Sequence, residues 1–284
     1  MISVENLNFT FPGSATPVLH GLSLQVSRAE VYGLLGPSGA GKSTTQRILL
    51  GLEPGYTGQA TILGQPANAL KRSYYGRIGV SFELPALYLR LTARENLALF
   101  GALYEGTTRS PDDLLALVDL SDAADMRVSD FSKGMKMRLN LCRALVNDPE
   151  LVFLDEPTSG QDPARARVTR DLIKTLKSEG RTVFLTTHNM AEAAEICDRV
   201  GFLVDGRIPV TGSPDDLMRR FGEPLVEVKW RKQGTLDHAR FPLAGMADDP
   251  DFITALKSPD LVSIHTLEAG LDDVFIAVAG QREG

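Results

Sequence analysis

Three short stretches of this chain carry side chains whose types and spacing suit phosphate chemistry. The first is Gly36-Pro37-Ser38-Gly39-Ala40-Gly41-Lys42-Ser43-Thr44. It satisfies the pattern G-x-x-x-x-G-K-[ST], with an apolar run before it and a helix-forming run after it. Glycines let the backbone curl so that its N–H groups surround a β-phosphate, and the helix N-terminus adds the positive end of its dipole. Lys42 would reach the β- and γ-phosphates, and Ser43 would ligate Mg²⁺. That ion takes few protein ligands and fills its shell with phosphate and water.

The second stretch is Leu151-Val152-Phe153-Leu154-Asp155-Glu156. Asp155 is expected to hold the Mg²⁺ shell, and Glu156 to orient the attacking water or take its proton. His188 follows a predicted strand over residues 182–187. If that strand lies beside the Asp155 strand, its end falls on the same carboxyl edge, where ligands bind in such sheets. The ring then comes within reach of a γ-phosphate. The third stretch, Phe131-Ser132-Lys133-Gly134-Met135, opens a helix between the other two. A phosphate loop alone implies only that a nucleoside triphosphate is bound. A Ser-x-Gly helix start added to it points to one chain completing the site of another.

The elements that must position these residues are legible as periodicity. Residues 2–11 and 22–26 read as strands, the latter alternating at period two, with a turn at Pro12-Gly13. Residues 30–35 form an apolar strand feeding the glycine-rich loop, and 42–52 a helix ending near Gly51. Helices are predicted over 94–104, capped by Thr92, after Ser110-Pro111, and over 135–146, stopped before Pro149. Strand, helix, strand, helix, strand then follow over 151–204: Asp162-Pro163 opens a helix with Val168, Leu172, Ile173 and Leu176 on one face, residues 190–197 form another, and Asp205-Gly206 turns a hairpin. Such alternation implies a parallel sheet covered by helices. From Ser213 the pattern changes. Val226, Val228 and Trp230 alternate as a strand, residues 261–264 read as another, and 272–279 as a short helix.

The bulk composition sets limits. The chain has 284 residues, 43% hydrophobic and 23% charged, enough for a packed core with a small appendage. Its net charge of −6 makes it a poor general binder of nucleic acid, so no nucleic-acid partner is expected. No apolar run approaches the ~18–20 residues that span a bilayer. The start shows no basic stretch followed by an apolar one, so a cytosolic chain is expected. Cys142 and Cys197 have neither metal nor framework spacing and read as reduced packing residues.

The order of these motifs resembles the nucleotide-binding subunit of ATP-binding cassette (ABC) transporters over about residues 1–215. The resemblance implies an α/β fold: a P-loop NTPase core with an N-terminal antiparallel β subdomain, an inserted helical subdomain at about 84–147, and a small C-terminal α+β appendage. The expected division is 1–213 and 214–284. It implies ATP and Mg²⁺ as ligands, and Lys42, Glu156 and His188 as the catalytic set. Ser132 and Gly134 match the signature motif, which binds the γ-phosphate held by an opposing copy. Asp162, in Ser159-Gly160-Gln161-Asp162, matches the loop linking the two sites. Phe11 falls where the family places an aromatic that stacks on adenine. The partners implied are a second copy and separate membrane permease subunits, which place the chain on the cytoplasmic face of the membrane.

Two departures from the family pattern stand out. The signature usually reads Leu-Ser-Gly-Gly-Gln; here Lys133 adds a positive charge and Met135 replaces the amide. The glutamine expected after residues 78–82 is Glu83. An oxygen ligand survives, so Glu83 joins Ser43 and Asp155 as an expected metal ligand. A carboxylate ~4 Å from a triphosphate at an effective dielectric of ~20 is repelled by roughly 4 kcal/mol per unit charge. Glu83 must therefore lean on the metal, be protonated, or swing away. Residues 84–91 are rich in apolar side chains, with Leu87 and Tyr88 the expected contacts for a membrane subunit. The tail, Gly270-Leu271-Asp272-Asp273-Val274-Phe275, resembles exporters of drugs and antibiotics. The leading expectation is an ATPase subunit powering export of a drug or other hydrophobic small molecule. The alternatives are a soluble cassette protein acting on nucleic acid or ribosomes, and a small-molecule kinase, which would leave Ser132, Gly134 and His188 unexplained.

Overall fold

The structure is a computed structural model that describes residues 1–222, 224–232, 235–267 and 269–280. The chain divides into two units, Met1–Gly212 and Ser213–Gly284.

In the first unit, β1 (Ile2–Phe9) and β2 (Leu19–Val26) pair antiparallel, with Ile2 opposite Val26. Gly13, at φ 81°, sits in the turn between them. β3 (Val31–Leu35) is buried throughout and runs into the glycine-rich loop. The helix after it, α1 (Lys42–Leu49), stops earlier than expected, because Gly51 takes φ 71° and breaks the turn. Then come β4 (Thr57–Ile62), β5 (Gln65–Pro66), the short α2 (Arg72–Tyr75) and β6 (Ile78–Ser81). The strands from residue 57 to 66 escape a periodicity reading because they are rich in glycine and glutamine, with little alternation. β1 pairs with β4 on its other side, giving a sheet of order β2-β1-β4-β5.

The helical segment comprises α3 (Ala93–Gly101), α4 (Pro111–Leu117) and α5 (Lys133–Ala144). Thr92 and Glu95 form a reciprocal capping box on α3, at 3.1 and 2.8 Å. β7 (Leu151–Asp155), α6 (Pro163–Ser178), β8 (Thr182–Thr187), α7 (Met190–Ile196), β9 (Arg199–Phe202) and β10 (Thr211–Gly212) complete the unit. Asp205 and Gly206, both at positive φ, make the two-residue turn between β9 and β10.

The central sheet has the order β10-β9-β3-β8-β7-β6 and is parallel except at β10. Its register decides the site. Leu35 lies beside Thr187, and Thr186 beside Asp155. The glycine loop, the Asp155-Glu156 pair and His188 therefore leave the sheet at one edge. Beneath them, Phe184 stacks on Tyr32 at 5.9 Å and tilts against Phe153 at 5.7 Å. All three rings are fully buried, and truncating one such side chain typically costs about 3–5 kcal/mol. Cys142 and Cys197 are buried free thiols whose titration is pushed well above the ordinary range by burial.

The second unit contains α8 (Pro214–Phe221), β11 (Leu225–Lys232), β12 (Thr235–Pro242), α9 (Pro250–Leu256), β13 (Leu261–Leu267) and α10 (Leu271–Gly280). Its antiparallel sheet has the order β12-β11-β13. Phe252 and Ala255 of α9 pack on Val226, Val228 and Phe241. The expected alternation of Val226 and Val228 is thus the core face of a central strand.

Candidate functional site

The glycine loop leaves β3 and ends at the first turn of α1. Gly39 and Gly41 take φ 83° and 106°, which a side chain would strain. A Cβ on Gly36 would meet the Leu203 carbonyl oxygen at 2.5 Å. No side chain caps α1, so its N–H groups stay open to an anion. Lys42 folds back across the loop, its Nζ donating to the carbonyls of Gly36 at 2.8 Å and Pro37 at 3.1 Å. Burial holds its ammonium below the ordinary range, against the opposing pull of the Glu156, Asp155 and Glu83 carboxylates.

Ser43, second residue of α1, donates its hydroxyl to Asp155 Oδ2 at 3.3 Å. Thr186 of β8 donates to the other carboxylate oxygen of Asp155. Burial raises the Asp155 carboxyl, while those hydroxyls lower it. The next residue, Glu156, sits at φ 48°, an uncommon left-handed conformation for a non-glycine residue. Its backbone N–H donates to Thr186 at 2.9 Å. Its Oε2 accepts from the Thr187 hydroxyl at 3.1 Å. Its Oε1 accepts from the His188 backbone at 3.0 Å and lies 2.7 Å from His188 Nδ1. Thr186 and Thr187 orient both carboxylates, a role not assigned from sequence; the only signal was two hydroxyls ending a strand just before the histidine.

These groups line a cavity of about 450 Å³ together with Phe11, Val18, Ser38, Thr44 and Glu83. Phe11 is 39% exposed, and its ring lies 4.9 Å from that of Phe9 with the two planes near perpendicular. Glu83 is exposed at the cavity. Among the described residues no three His, Cys, Asp or Glu side chains are grouped to hold a metal unaided. The Ser43 hydroxyl and Asp155 carboxylate are hard oxygen donors, and they fit Mg²⁺ held mainly by phosphate and water.

Ser132 and Gly134 line a second cavity, of about 470 Å³, that shares no residue with the first. Ser132 caps α5, its Oγ accepting from Met135 N at 3.2 Å. The hydroxyl proton is left to donate outward. A Cβ on Gly134 would sit 3.4 Å from the Gly160 carbonyl, so the helix tip and the loop before α6 touch. Asp162 caps α6 through Ala164 N and Arg165 N, both at 3.1 Å. It lines this second cavity, with its carboxylate committed to the cap. Lys133, Arg138 and Arg165 line it too; the arginines carried no motif by which sequence reading could find them.

α5 joins the second cavity to the first. Asn140 donates to Ser81 Oγ and to the Phe82 carbonyl, both at 2.9 Å, one residue before Glu83. Arg143 donates to the Ala86 carbonyl at 3.0 Å and lies over the Phe100 ring at 5.1 Å. Fully buried Asn96 grips Tyr88 through both its N–H and C=O, at 2.9 and 3.0 Å. The loop so pinned exposes Leu84, Tyr88 and Leu89 at 82%, 53% and 52%. Leu87 is half-buried, so the outward apolar surface includes Leu84 and Leu89 where Leu87 was expected.

Comparison with known proteins agrees with this geometry. The family described as ABC transporter matches residues 19–159, and the fluoroquinolone efflux ABC transporter C-terminal domain matches residues 225–268. A fluoroquinolones export ATP-binding protein of Mycobacterium tuberculosis (strain CDC 1551 / Oshkosh) is 50% identical over 283 residues, covering 99% of this chain and 94% of the relative. Nod factor export ATP-binding protein I of Rhizobium meliloti (strain 1021) is 43% identical, covering 99% and 89%. An ATP-binding subunit of an ABC transporter superposes with TM-score 0.70 at 30% identity, covering 78% of this chain and 93% of that one. A dimeric post-hydrolysis cassette bound to ADP and Pi superposes with TM-score 0.66 at 25% identity, covering 75% and 98%. The chain therefore belongs to the ABC transporter family, as an ATP-binding, ATP-hydrolysing subunit of the exporter type.

Proposed function

We propose that two copies of this chain stack head to tail, each closing the other's nucleotide cavity with its Ser132 and Gly134 helix tip. The opening and closing drive a separate membrane permease. One observation carries the pairing: the groups that grip a triphosphate and the α5 tip line two disjoint cavities of one chain. A single copy has half of each contact. The solved relative described as dimeric with ADP and Pi supports the same arrangement.

In this reading Lys42 leaves the carbonyls of Gly36 and Pro37 for the β- and γ-phosphates. Ser43, Asp155 and Glu83 would hold Mg²⁺, which neutralises phosphate charge when bound. Glu156 orients the water that attacks the γ-phosphorus and accepts its proton as the bond to ADP breaks. Phe11 stacks on the adenine. Asn140 and Arg143 carry the movement of α5 into the loop that exposes Leu84, Tyr88 and Leu89, the surface offered to the permease. Among the described residues no helix is long and apolar enough to cross a membrane, in keeping with a peripheral subunit held at the cytoplasmic face by that contact.

The cargo class we assign is fluoroquinolone-type antibiotics, supported by the name of the 50% identical relative and by the family matching the second unit. Co-expression with a candidate membrane permease, followed by measurement of fluoroquinolone accumulation, tests this. The wild-type pair should lower accumulation, and Lys42→Ala should restore it. Equal accumulation in both strains would remove the cargo assignment. A Leu84→Ser/Tyr88→Ser chain should lose co-purification with the permease while keeping its own ATPase rate.

A further inference from the structure

We infer that Lys133 of one copy faces Glu83 of the other across the bound triphosphate, and that the two act as one charge pair of the closed dimer. This rests on the head-to-tail pairing above and adds to it a reason for two departures in the sequence. Both positions carry a charge where the family pattern has none, and the charges are opposite.

The two side chains are alike in making no hydrogen bond or close ion pair within one copy, although Glu83 acts on Lys42 at longer range across the cavity. Glu83 is exposed at the rim of the nucleotide cavity, and makes no hydrogen bond or ion pair among the described residues. The other carboxylates of that cavity are both held: Asp155 by Ser43 and Thr186, Glu156 by Thr187 and His188. Lys133 is exposed at the first residue of α5, and its ammonium likewise has no ion-pair partner among the described residues. A Cβ on Gly160 would meet the Lys133 stem at 2.9 Å, so the stem lies along the loop before α6.

The cavities as wholes are complementary in charge. Glu83, Asp155 and Glu156 face one lysine in the first. Lys133, Arg138 and Arg165 face Asp162 in the second; Arg165 is also ion-paired with Asp119, and the Asp162 carboxylate is already bonded to two backbone N–H groups. Arg138 is 5% exposed; its Nη1 donates to the Val118 and Asp119 carbonyls, while its Nε–H has no hydrogen-bond partner. A surface of this sign seats well on a carboxylate-rich rim loaded with a triphosphate.

Symmetry makes the pairing reciprocal. In a two-fold dimer, residue i of one copy meets j of the other, and j meets i. α5 bears Lys133 at its tip and, through Asn140, holds the backbone just before Glu83. Each α5 thus positions both members of the set, one for each of the two sites. The ammonium adds to the metal and to Lys42 in offsetting the repulsion between Glu83 and the triphosphate, and its share is present only in the closed state.

The test is a double-mutant cycle read as dimer affinity. The full chain carrying Glu156→Gln, to stop turnover, is titrated with ATP and Mg²⁺ and its dimer Kd measured by analytical ultracentrifugation. Lys133→Gly should weaken the dimer about tenfold, roughly 1.4 kcal/mol, when Glu83 is present. The same change should cost less than about twofold in a Glu83→Gln background. Lys133→Arg should hold the parent affinity within about twofold, and raised salt should shrink the Lys133 effect. Equal losses in both backgrounds, or no loss at all, would overturn the charge pair and leave the head-to-tail reading standing. A parent that forms no ATP-dependent dimer would bring down both.

Discussion

His188 Nδ1 lies 2.7 Å from Glu156 Oε1, and the His188 backbone N–H donates to the same oxygen at 3.0 Å. A carboxylate accepts, so Nδ1 carries the proton in this contact. In a neutral ring that leaves Nε2 without a proton, able only to accept. His188 can donate to a γ-phosphate only by gaining a second proton or by turning away from Glu156. The Glu156 contact thus fixes which ring nitrogen of His188 carries the proton.

This geometry separates the two residues kinetically. Glu156→Gln should lower kcat by about 10²–10⁴ while ATP still binds, because the water loses its proton acceptor. His188→Ala should lower kcat by at least about tenfold, with nucleotide affinity within about threefold of wild type. Single-turnover hydrolysis and nucleotide titration read the two quantities apart. Wild-type turnover in His188→Ala would exclude the ring from the reaction.

Asp155 should limit the stability of the nucleotide-free chain. Burial raises its carboxyl above the ordinary 3.8 in the folded state, against the smaller effect of the Thr186 and Ser43 hydroxyls. The folded chain therefore holds that proton to higher pH than the unfolded chain does. The group's contribution to stability is complete below the unfolded value and is lost as pH rises through the folded one. At neutral pH, Asp155→Asn should raise the Tm of the nucleotide-free chain. Turnover should be lost. Below pH 3.8 the two melting curves should converge; a Tm gain that stays constant from acid to neutral pH would refute the assignment.

Glu192 should act as a positioning residue. It is 4% exposed on α7, and burial pushes its carboxyl upward. Its Oε2 accepts from the Thr158 hydroxyl at 2.6 Å, and the Ser159 backbone donates to the Glu156 carbonyl at 3.0 Å. The helix after His188 thereby anchors the turn after Glu156. Glu192→Gln keeps an acceptor and should stay within about threefold of wild-type kcat. Glu192→Ala should drop kcat about tenfold with ATP affinity unchanged. Equal damage from both variants would mark a fold requirement only.

Local pattern in the amino-acid sequence makes several of these features readable by itself. The Gly36, Gly39 and Gly41 spacing, the helix after it, and the apolar run ending at Asp155 are short-range facts, because backbone curl and burial are set within a few residues. The helix starts at Ser110, Ser132 and Asp162 are legible for the same reason, since a capping oxygen bonds N–H groups only two or three positions on. The strand Thr235–Pro242 and helix Pro250–Leu256 are not, since the strand is largely exposed and polar and the helix is short. Tertiary structure alone decided which residues meet. That Thr186 stands beside Asp155, that Arg143 holds the Ala86 carbonyl, and that Asn140 ties the signature helix to the Glu83 segment are long-range pairings. Each depends on strand order and helix packing, where many registers satisfy the same hydrophobic pattern and only the assembled core selects one.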